Sequence, residues 1–331
     1  MLRLFKLSNI KKLVNIFLDF FYDIKHFWFQ IAYYSILSKF SKLPIFPQKT
    51  KNKIQDRKTS LIFNFLNSKY SDFIREYRDK PLEEWINSKK IWTCRRQWEK
   101  YAPDLVKLCL NSIRKRKWDY ELIIIDQHNF SQYIDIPDFI LKKVKNKDIS
   151  LTHLSDIIRM WLLKKYWWIR IDATMFFNQN IFKYFDNMNI NSNYPKLHIE
   201  KNHEFTKRTW FFIWWKSNNR TFSFVYDFFI QYHKDYRRLI DFFLIDYAIY
   251  LAYKNFSDSK KDIDNISLKN NEIFNLVLIF NDPFNQKIYD KIMENWFFKL
   301  TYKMKFFISK NWEFTNYGNF IKEYNQNYKD Y

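Results

Sequence analysis

A chain of 331 residues, 47% of them hydrophobic, can bury a sizeable core in one large domain or two smaller ones. Its formal charge of +21 draws it toward phosphate-bearing partners, whether nucleic acid, an anionic membrane face or a nucleotide diphosphate, and charge alone does not separate these. Two cysteines, Cys94 and Cys109, make neither a metal cluster nor a disulfide framework, so a reducing compartment is the default and both read as small buried apolar residues.

From Met1 to about Phe40, basic and apolar residues alternate. Asp19, Asp23, Lys25 and His26 interrupt the pattern, which falls short of the roughly 18 to 20 apolar residues that a spanning helix needs. The stretch also lacks the small-residue cleavage site of a signal peptide. It predicts one or two amphipathic helices, either packed on the main domain or lying on an anionic membrane face. Residues 41–58 hold two prolines, Pro44 and Pro47, and a charge run, and read as a linker. The chain thus divides into an N-terminal arm with its linker (1–58) and a main domain (59–331).

From residue 89 the pattern is α/β. "KKIWTC" predicts a first strand. "APDLVKLCLNSIRKR" predicts a helix that starts at Pro103 and places Leu105, Leu108, Cys109 and Ile113 on one face. "YELIIIDQ" has the continuous apolar run of a strand buried on both faces, and the order strand, helix, strand argues for a parallel sheet with right-handed crossovers. "DISLTHLSDIIRMWLLKKY" predicts a helix capped by Asp148 or Ser150, with Leu154, Ile157, Ile158 and Trp161 as its buried stripe. It runs into a strand at "IRIDATMFF", a junction that calls for a positive-φ residue, work that glycine does and that Trp167 and Trp168 suit poorly. Further on, "TWFFIWWKSNN" predicts a strand and turn, two amphipathic helices follow, and the remainder is expected to be helical with a polar tail.

Gly318 is the only glycine, which rules out a G-x-G-x-x-G loop and a P-loop. Asp156 and Arg159 are three apart and share a helix face. They are either a surface ion pair contributing about 0.2 to 0.5 kcal/mol or part of a site. Asp172 sits in an apolar strand, where an acid needs a partner, and carboxyl ends of strands are where open α/β sheets gather ligands. Asp246 lies on an otherwise apolar helix, either aimed into a cleft as a general base or paired structurally. Asp126 reads as a loop anchor. The histidines (26, 128, 153, 198, 203 and 233) show no metal spacing and read as structural or exposed, with His153 a weak exception because it precedes Asp156 by one turn.

In their order, "IWTCRRQWEKYAPDLVKLCLNSI", "YELIIID", "ISLTHLSDIIR" and "IDAT" resemble the capsular polysaccharide synthesis proteins. These fall within a wider group of sugar transferases marked by S-D-x-x-R, a Gly-Gly turn and a strand bearing an Asp-x-Asp-like motif. The similarity covers about residues 85–255. It implies a GT-A-like (Rossmann-like) nucleotide-sugar-binding sandwich, with the helical arm before it and a helical region after it. The implied activity is a glycosyltransferase moving a sugar from a nucleotide-diphosphate donor to a glycan or lipid-linked acceptor, in the cytoplasm at the inner face of the plasma membrane. By the same resemblance Trp92 stacks on or borders the base, Asp156 and Arg159 hold the ribose, sugar or diphosphate, and Asp172 is the first carboxylate of a site for Mg²⁺ or Mn²⁺. Thr174 stands where the second carboxylate is expected, and a hydroxyl is a far weaker ligand, although a single carboxylate plus diphosphate oxygens can still hold a divalent ion. One alternative is therefore an inactive scaffold of the same fold. Another is a basic, aromatic-rich nucleic-acid binder, which the even spread of basic residues and the acids Asp156 and Asp172 disfavour, so no nucleic-acid partner is expected.

The chain has one glycine and 13 tryptophans, against about 7% glycine in ordinary proteins. Where the resemblance calls for glycine the chain has Trp98, Trp167, Trp168, Trp214 and Trp215, and where it calls for tryptophan it has Arg95, Arg96 and Arg170. Substitution in just these two directions points to a variant genetic code with UGA as glycine and some CGN codons as tryptophan. On that reading the charge of +21 is overstated.

Overall fold

The computed structural model describes residues 7–82, 86–94, 99–117, 119–180, 190–193, 212–215, 219–264 and 271–326; within these, only the backbone is described for 7–13, 15, 86–88, 167–170, 190–193, 212–215, 271, 325 and 326. The arm begins with α1 (Leu7–His26) and α2 (Phe29–Phe40). α1 turns Tyr22 inward, where its hydroxyl accepts from the backbone N–H groups of Arg237 and Arg238 at 3.1 and 3.2 Å. Phe27 is buried against the rings of Phe65 and Tyr236. The arm is therefore seated on the main body, one of its two expected placements. The stretch expected as a linker is helical from Gln48 onward, inside α3 (Gln48–Lys69), because Ile54, Leu61, Ile62, Phe65 and Leu66 supply a buried stripe that the charge run had masked. α4 (Ser71–Asp79) follows, and Tyr77 and Lys80 at its end both donate to Asp227 at 3.0 Å.

Among the described residues the main sheet has five strands. β1 (Ile86–Cys94) leads through α5 (Asp104–Arg116) to β2 (Glu121–Ile125), and β1 pairs in parallel with β2, Trp92 facing Ile123. After α6 (Asp138–Lys145) and α7 (Leu151–Lys165), β3 (Tyr166–Ile171) adds to the other side of β1, again in parallel. The chain then forms β4 (Met175–Phe177), β5 (Ile190–Asn193) and β6 (Phe212–Trp215). β6 runs antiparallel to both β3 and β5, and the order across the sheet is β2-β1-β3-β6-β5. Ile91 and Trp92 are both fully buried yet belong to different cores, Ile91 with Val106, Leu110 and Ile113 of α5, Trp92 with Ile157 of α7. Successive strand residues point to opposite faces, so the parallel part of the sheet is covered on both sides.

The α7–β3 junction corrects the expectation of a positive φ. Tyr166, at φ −117° and ψ 143°, is already extended while its N–H still closes the last helical bond to the Leu162 carbonyl, so the helix passes into the strand with no left-handed residue. α8 (Arg220–Asp235) and α9 (Leu244–Asn255) complete the larger core, and α10 (Ser257–Asp264) closes it. Asn219 caps α8 by accepting from the Phe222 N–H at 3.3 Å, and its amide donates to Asp262 in α10 at 2.7 Å.

The remainder is not wholly helical. α11 (Asn275–Ile279) and α12 (Gln286–Met293) precede β7 (Phe297–Lys299), which pairs antiparallel with β4, Phe176 opposite Phe298. A hairpin of β8 (Ser309–Lys310) and β9 (Glu313–Phe314) then leads into α13 (Asn316–Gln326). Phe176, Phe298, Phe320 and Leu276 share a core with Leu105 and Cys109 of α5, so this C-terminal region forms a third layer over α5.

Candidate functional site

Asp172 follows the last residue of β3, and the Thr93 hydroxyl of β1 donates to the Ile171 carbonyl at 2.7 Å, tying the two strand ends together beside it. The chain then turns. The N–H and hydroxyl of Thr174 each lie 3.4 Å from Asp172 Oδ1, and the Met175 N–H donates to the Asp172 carbonyl at 2.9 Å. Pairing of β4 with β7 brings Lys299 to this turn, and its Nζ sits 3.1 Å from Asp172 Oδ2 and within hydrogen-bond reach of Thr174 Oγ1. The Lys299 side chain is 14% exposed and that of Asp172 34%, so the cluster opens to solvent on the Asp172 side. Beneath it the fully buried Cys109 thiol is pushed far up by burial, and the charge of Asp172 adds to the shift while Lys299 opposes it. No local pattern in the sequence marks Lys299, which reaches Asp172 only across 127 residues of chain.

The turn offers a divalent cation one carboxylate and one hydroxyl, with the Lys299 ammonium against both, so an ion held there would take its remaining oxygens from diphosphate and water and would have to displace that ammonium. At an effective dielectric near 20, a doubly charged ion about 3.5 Å from that ammonium is opposed by on the order of 9 kcal/mol. Among the described residues, no group of three or more His, Cys, Asp or Glu side chains converges as a cation site.

The second cluster stands on α7, capped by Ser150, whose hydroxyl accepts from the His153 N–H at 3.1 Å. Asp156 Oδ1 lies 3.2 Å from Arg159 Nη1, with side-chain exposures of 12% and 19%, so the pair is largely withdrawn from water. His153 places Nδ1 3.9 Å from Asp156 Oδ2 and Nε2 2.9 Å from Nε2 of His233 on α8. Burial, then the charges of His153 and Lys143, push the His233 imidazole down to about 2, which keeps that ring neutral. Lys143 holds the end of α8 in turn, donating to the carbonyls of His233 and Tyr236. His233 is thus buried between α7 and α8, while His153, singled out in the sequence because it precedes Asp156 by one turn, lies beside that carboxylate. α7 returns over the sheet at about 1.5 Å per residue and β3 rises at about 3.3 Å, which carries both Asp156 and Asp172 toward the carboxyl end of the parallel strands.

Trp92 is fully buried, its ring 5.2 Å from that of Tyr133 and 5.5 Å from that of Tyr166. Its indole face is covered, and Tyr133 stands between it and the groove formed by residues 130–136, Leu141 and Trp161. Asp246, in the first turn of α9, is 5% exposed within the larger core. Asp126 anchors its loop as expected, accepting from the His128 N–H at 2.8 Å and the Asn129 N–H at 3.2 Å. His198, His203, Arg95, Arg96 and Trp98 lie outside the described residues, and for Trp167, Trp168, Arg170, Trp214 and Trp215 the backbone alone is described.

No curated protein and no solved structure matches the chain. A sequence profile described as capsular polysaccharide synthesis protein matches residues 42–320, which takes in α3, the sheet, both clusters and the ribbon that carries Lys299. By that match the chain belongs to the capsular polysaccharide synthesis protein family.

Proposed function

We propose that the chain is a glycosyltransferase of GT-A type that moves a sugar from a nucleotide-diphosphate donor to a glycan or lipid-linked acceptor in capsule synthesis. The observation that carries this reading is the half-open Asp172 carboxylate held by Lys299 at the carboxyl end of β3, where an α/β sheet presents ligands. In the reaction, the bond from the anomeric carbon to the β-phosphate oxygen breaks and its electron pair leaves with the diphosphate. The acceptor hydroxyl oxygen bonds to that carbon, and its proton passes to a carboxylate, for which Asp246 is the candidate. Asp172 accepts hydrogen bonds from the donor sugar, and Asp156 and Arg159 hold the ribose or diphosphate; Trp92, fully buried beneath Tyr133, supports the groove without reaching the base.

The arm supplies the acceptor's location. Val14, Phe17, Leu18 and Phe21 form an exposed stripe along α1, and Phe29 and Tyr33 of α2 and Ile45 after it are exposed as well. No helix among the described residues is long and apolar enough to cross a membrane. An exposed stripe on a basic chain suits an anionic bilayer, with the apolar residues in the headgroup boundary and the enzyme peripheral on the inner leaflet.

The test is release of nucleoside diphosphate from a panel of nucleotide sugars, with Asp172→Asn compared to the wild type. Loss of about 10² to 10³-fold is expected when an electrostatic partner of the reacting sugar is neutralised. Donor binding without release in the wild type would make the protein a scaffold instead.

A further inference from the structure

Lys299 occupies the position in the Asp172–Thr174 turn where the resemblance calls for a divalent cation, and its placement is fixed by the fold. The β4–β7 ribbon sets Lys299 opposite Met175, and the Leu300 N–H donates to the Thr174 carbonyl at 2.9 Å. Phe176, Phe298 and Leu300 are all buried, so the ribbon cannot slide without exposing its core. The ammonium is thus a positive charge built into the turn, hydrogen-bonded to the Asp172 carboxylate and the Thr174 hydroxyl, the two groups a divalent ion would have to take from it.

We propose that Lys299 is the resident cation of the donor site, binding the diphosphate of the nucleotide sugar and offsetting the charge that develops on it, so that donor binding and turnover need no divalent metal. The proposal rests on the transferase reading above. The diphosphate enters from the open side of Asp172 and meets an ammonium already in place, which needs no reorganisation as the bond to the anomeric carbon breaks. Asp172 keeps Lys299 oriented in the empty site and turns to the sugar hydroxyls in the loaded one. Thr174 completes the arrangement, since a hydroxyl donates to Asp172 while accepting from Lys299, which a second carboxylate could not do.

The experiment is calorimetric titration of the full chain with uridine, guanosine, adenosine and cytidine diphosphate, each in EDTA and in Mn²⁺, on wild type, Lys299→Met, Lys299→Arg and the double variant Thr174→Asp/Lys299→Ala. The expected result is wild-type binding of at least one diphosphate with the same affinity in EDTA and in Mn²⁺. Lys299→Met should lose tenfold or more and Lys299→Arg should retain most of the affinity, with melting curves showing both variants folded at the temperature of the titration. The double variant, which rebuilds an Asp-x-Asp pair and removes the ammonium, should bind only with Mn²⁺. Wild-type binding that requires Mn²⁺ would overturn the proposal and leave the transferase reading standing. Equal affinity in wild type and Lys299→Met would do the same. Failure of all four diphosphates to bind in either condition would overturn both.

Discussion

Replacing Trp312 by glycine should stabilise the protein. β8 and β9 pair Lys310 with Glu313, which leaves Asn311 and Trp312 as a two-residue loop. Their φ values are 52° and 67°, the left-handed pair of a type I′ turn, for which Asn-Gly is the preferred sequence. Asparagine tolerates that region, but a tryptophan Cβ there costs about 1 to 2 kcal/mol. The indole returns nothing to offset it, since Trp312 is 103% exposed. Glycine's extra freedom in the unfolded chain takes back about 0.5 to 1 kcal/mol, so the net gain for Trp312→Gly is on the order of 0.5 to 1 kcal/mol. Urea titration followed by far-UV circular dichroism measures it as a higher midpoint at unchanged slope. Trp312→Ala separates the two causes: it removes the ring but keeps the Cβ, and should leave the midpoint nearly unchanged. A neutral or destabilising Trp312→Gly, or an equal gain from alanine, would refute the reasoning. The genuine glycine next door shows the opposite constraint, because a Cβ on Gly318 would collide with the Ile308 carbonyl and come within 2.7 Å of the Phe314 ring. The turn at Trp312 thus extends the reading of tryptophan as glycine to a position chosen by backbone conformation alone. Peptide masses of the protein from its native source should show glycine there and at residues 167 and 168.

Asp156→Asn should destabilise the protein by about 1 to 3 kcal/mol, less than a fully buried pair because its side chains keep 12% and 19% exposure, while Arg159→Leu on that background should cost little more; a double-mutant cycle in urea reads the coupling. Below the unfolded histidine value of 6.5, unfolding lets His233 take up a proton that the native ring, at about 2, refuses, so stability should fall by up to about 1.4 kcal/mol per pH unit between pH 6 and 4, and His233→Gln should flatten that slope. Asp23 acts in the opposite sense. Burial, with Asp19 beside it, raises it from 3.8 to about 7, so the stability of its protonated form is present below about 4 and is lost as pH rises through 7; Asp23→Asn should stabilise the protein at pH 8 and have little effect at pH 4. Flotation with anionic liposomes should carry the wild type to the top of the gradient, and Phe17→Glu with Phe21→Glu should leave the protein at the bottom with its melting temperature unchanged.

The parts of the fold that were legible are those in which one local pattern sufficed. β2 shows itself as an unbroken apolar run, α5 by its stripe behind Pro103, and α7 by Ser150 and the spacing of Leu154, Ile157 and Ile158. The linker reading failed because Lys and Asn fill the outer face of α3, and a polar outer face is indistinguishable by composition from a solvated strand of chain until the inner residues Ile54, Leu61 and Phe65 are counted at helical spacing. The positive φ expected at the end of α7 failed because a helix whose last bond is already closed can enter an extended conformation directly.

The candidate site divides on the same principle. Asp156 and Arg159 are neighbours on one helix, so their pairing follows from the period of 3.6, although their burial, set by α8 and His233, does not. Asp172 was visible as an acid in an apolar strand, but its partner Lys299 comes from a three-residue strand that no window of sequence marks, in a region read as helical. The signal was present in "WFFKL", where a lysine closes an aromatic run that fits a short strand no worse than a helix. Pairing with β4 is what turns that lysine into part of the turn, and pairing is a property of two segments. That is why the charge at this turn could not be read from Thr174: Thr174 weakens the ligand set for an ion, and the ammonium that approaches both Asp172 and Thr174 comes from a residue 125 positions away in sequence. On the proposed transferase reading the charge a departing diphosphate requires is the same in either case, and its proposed source is Lys299 on the β4–β7 ribbon.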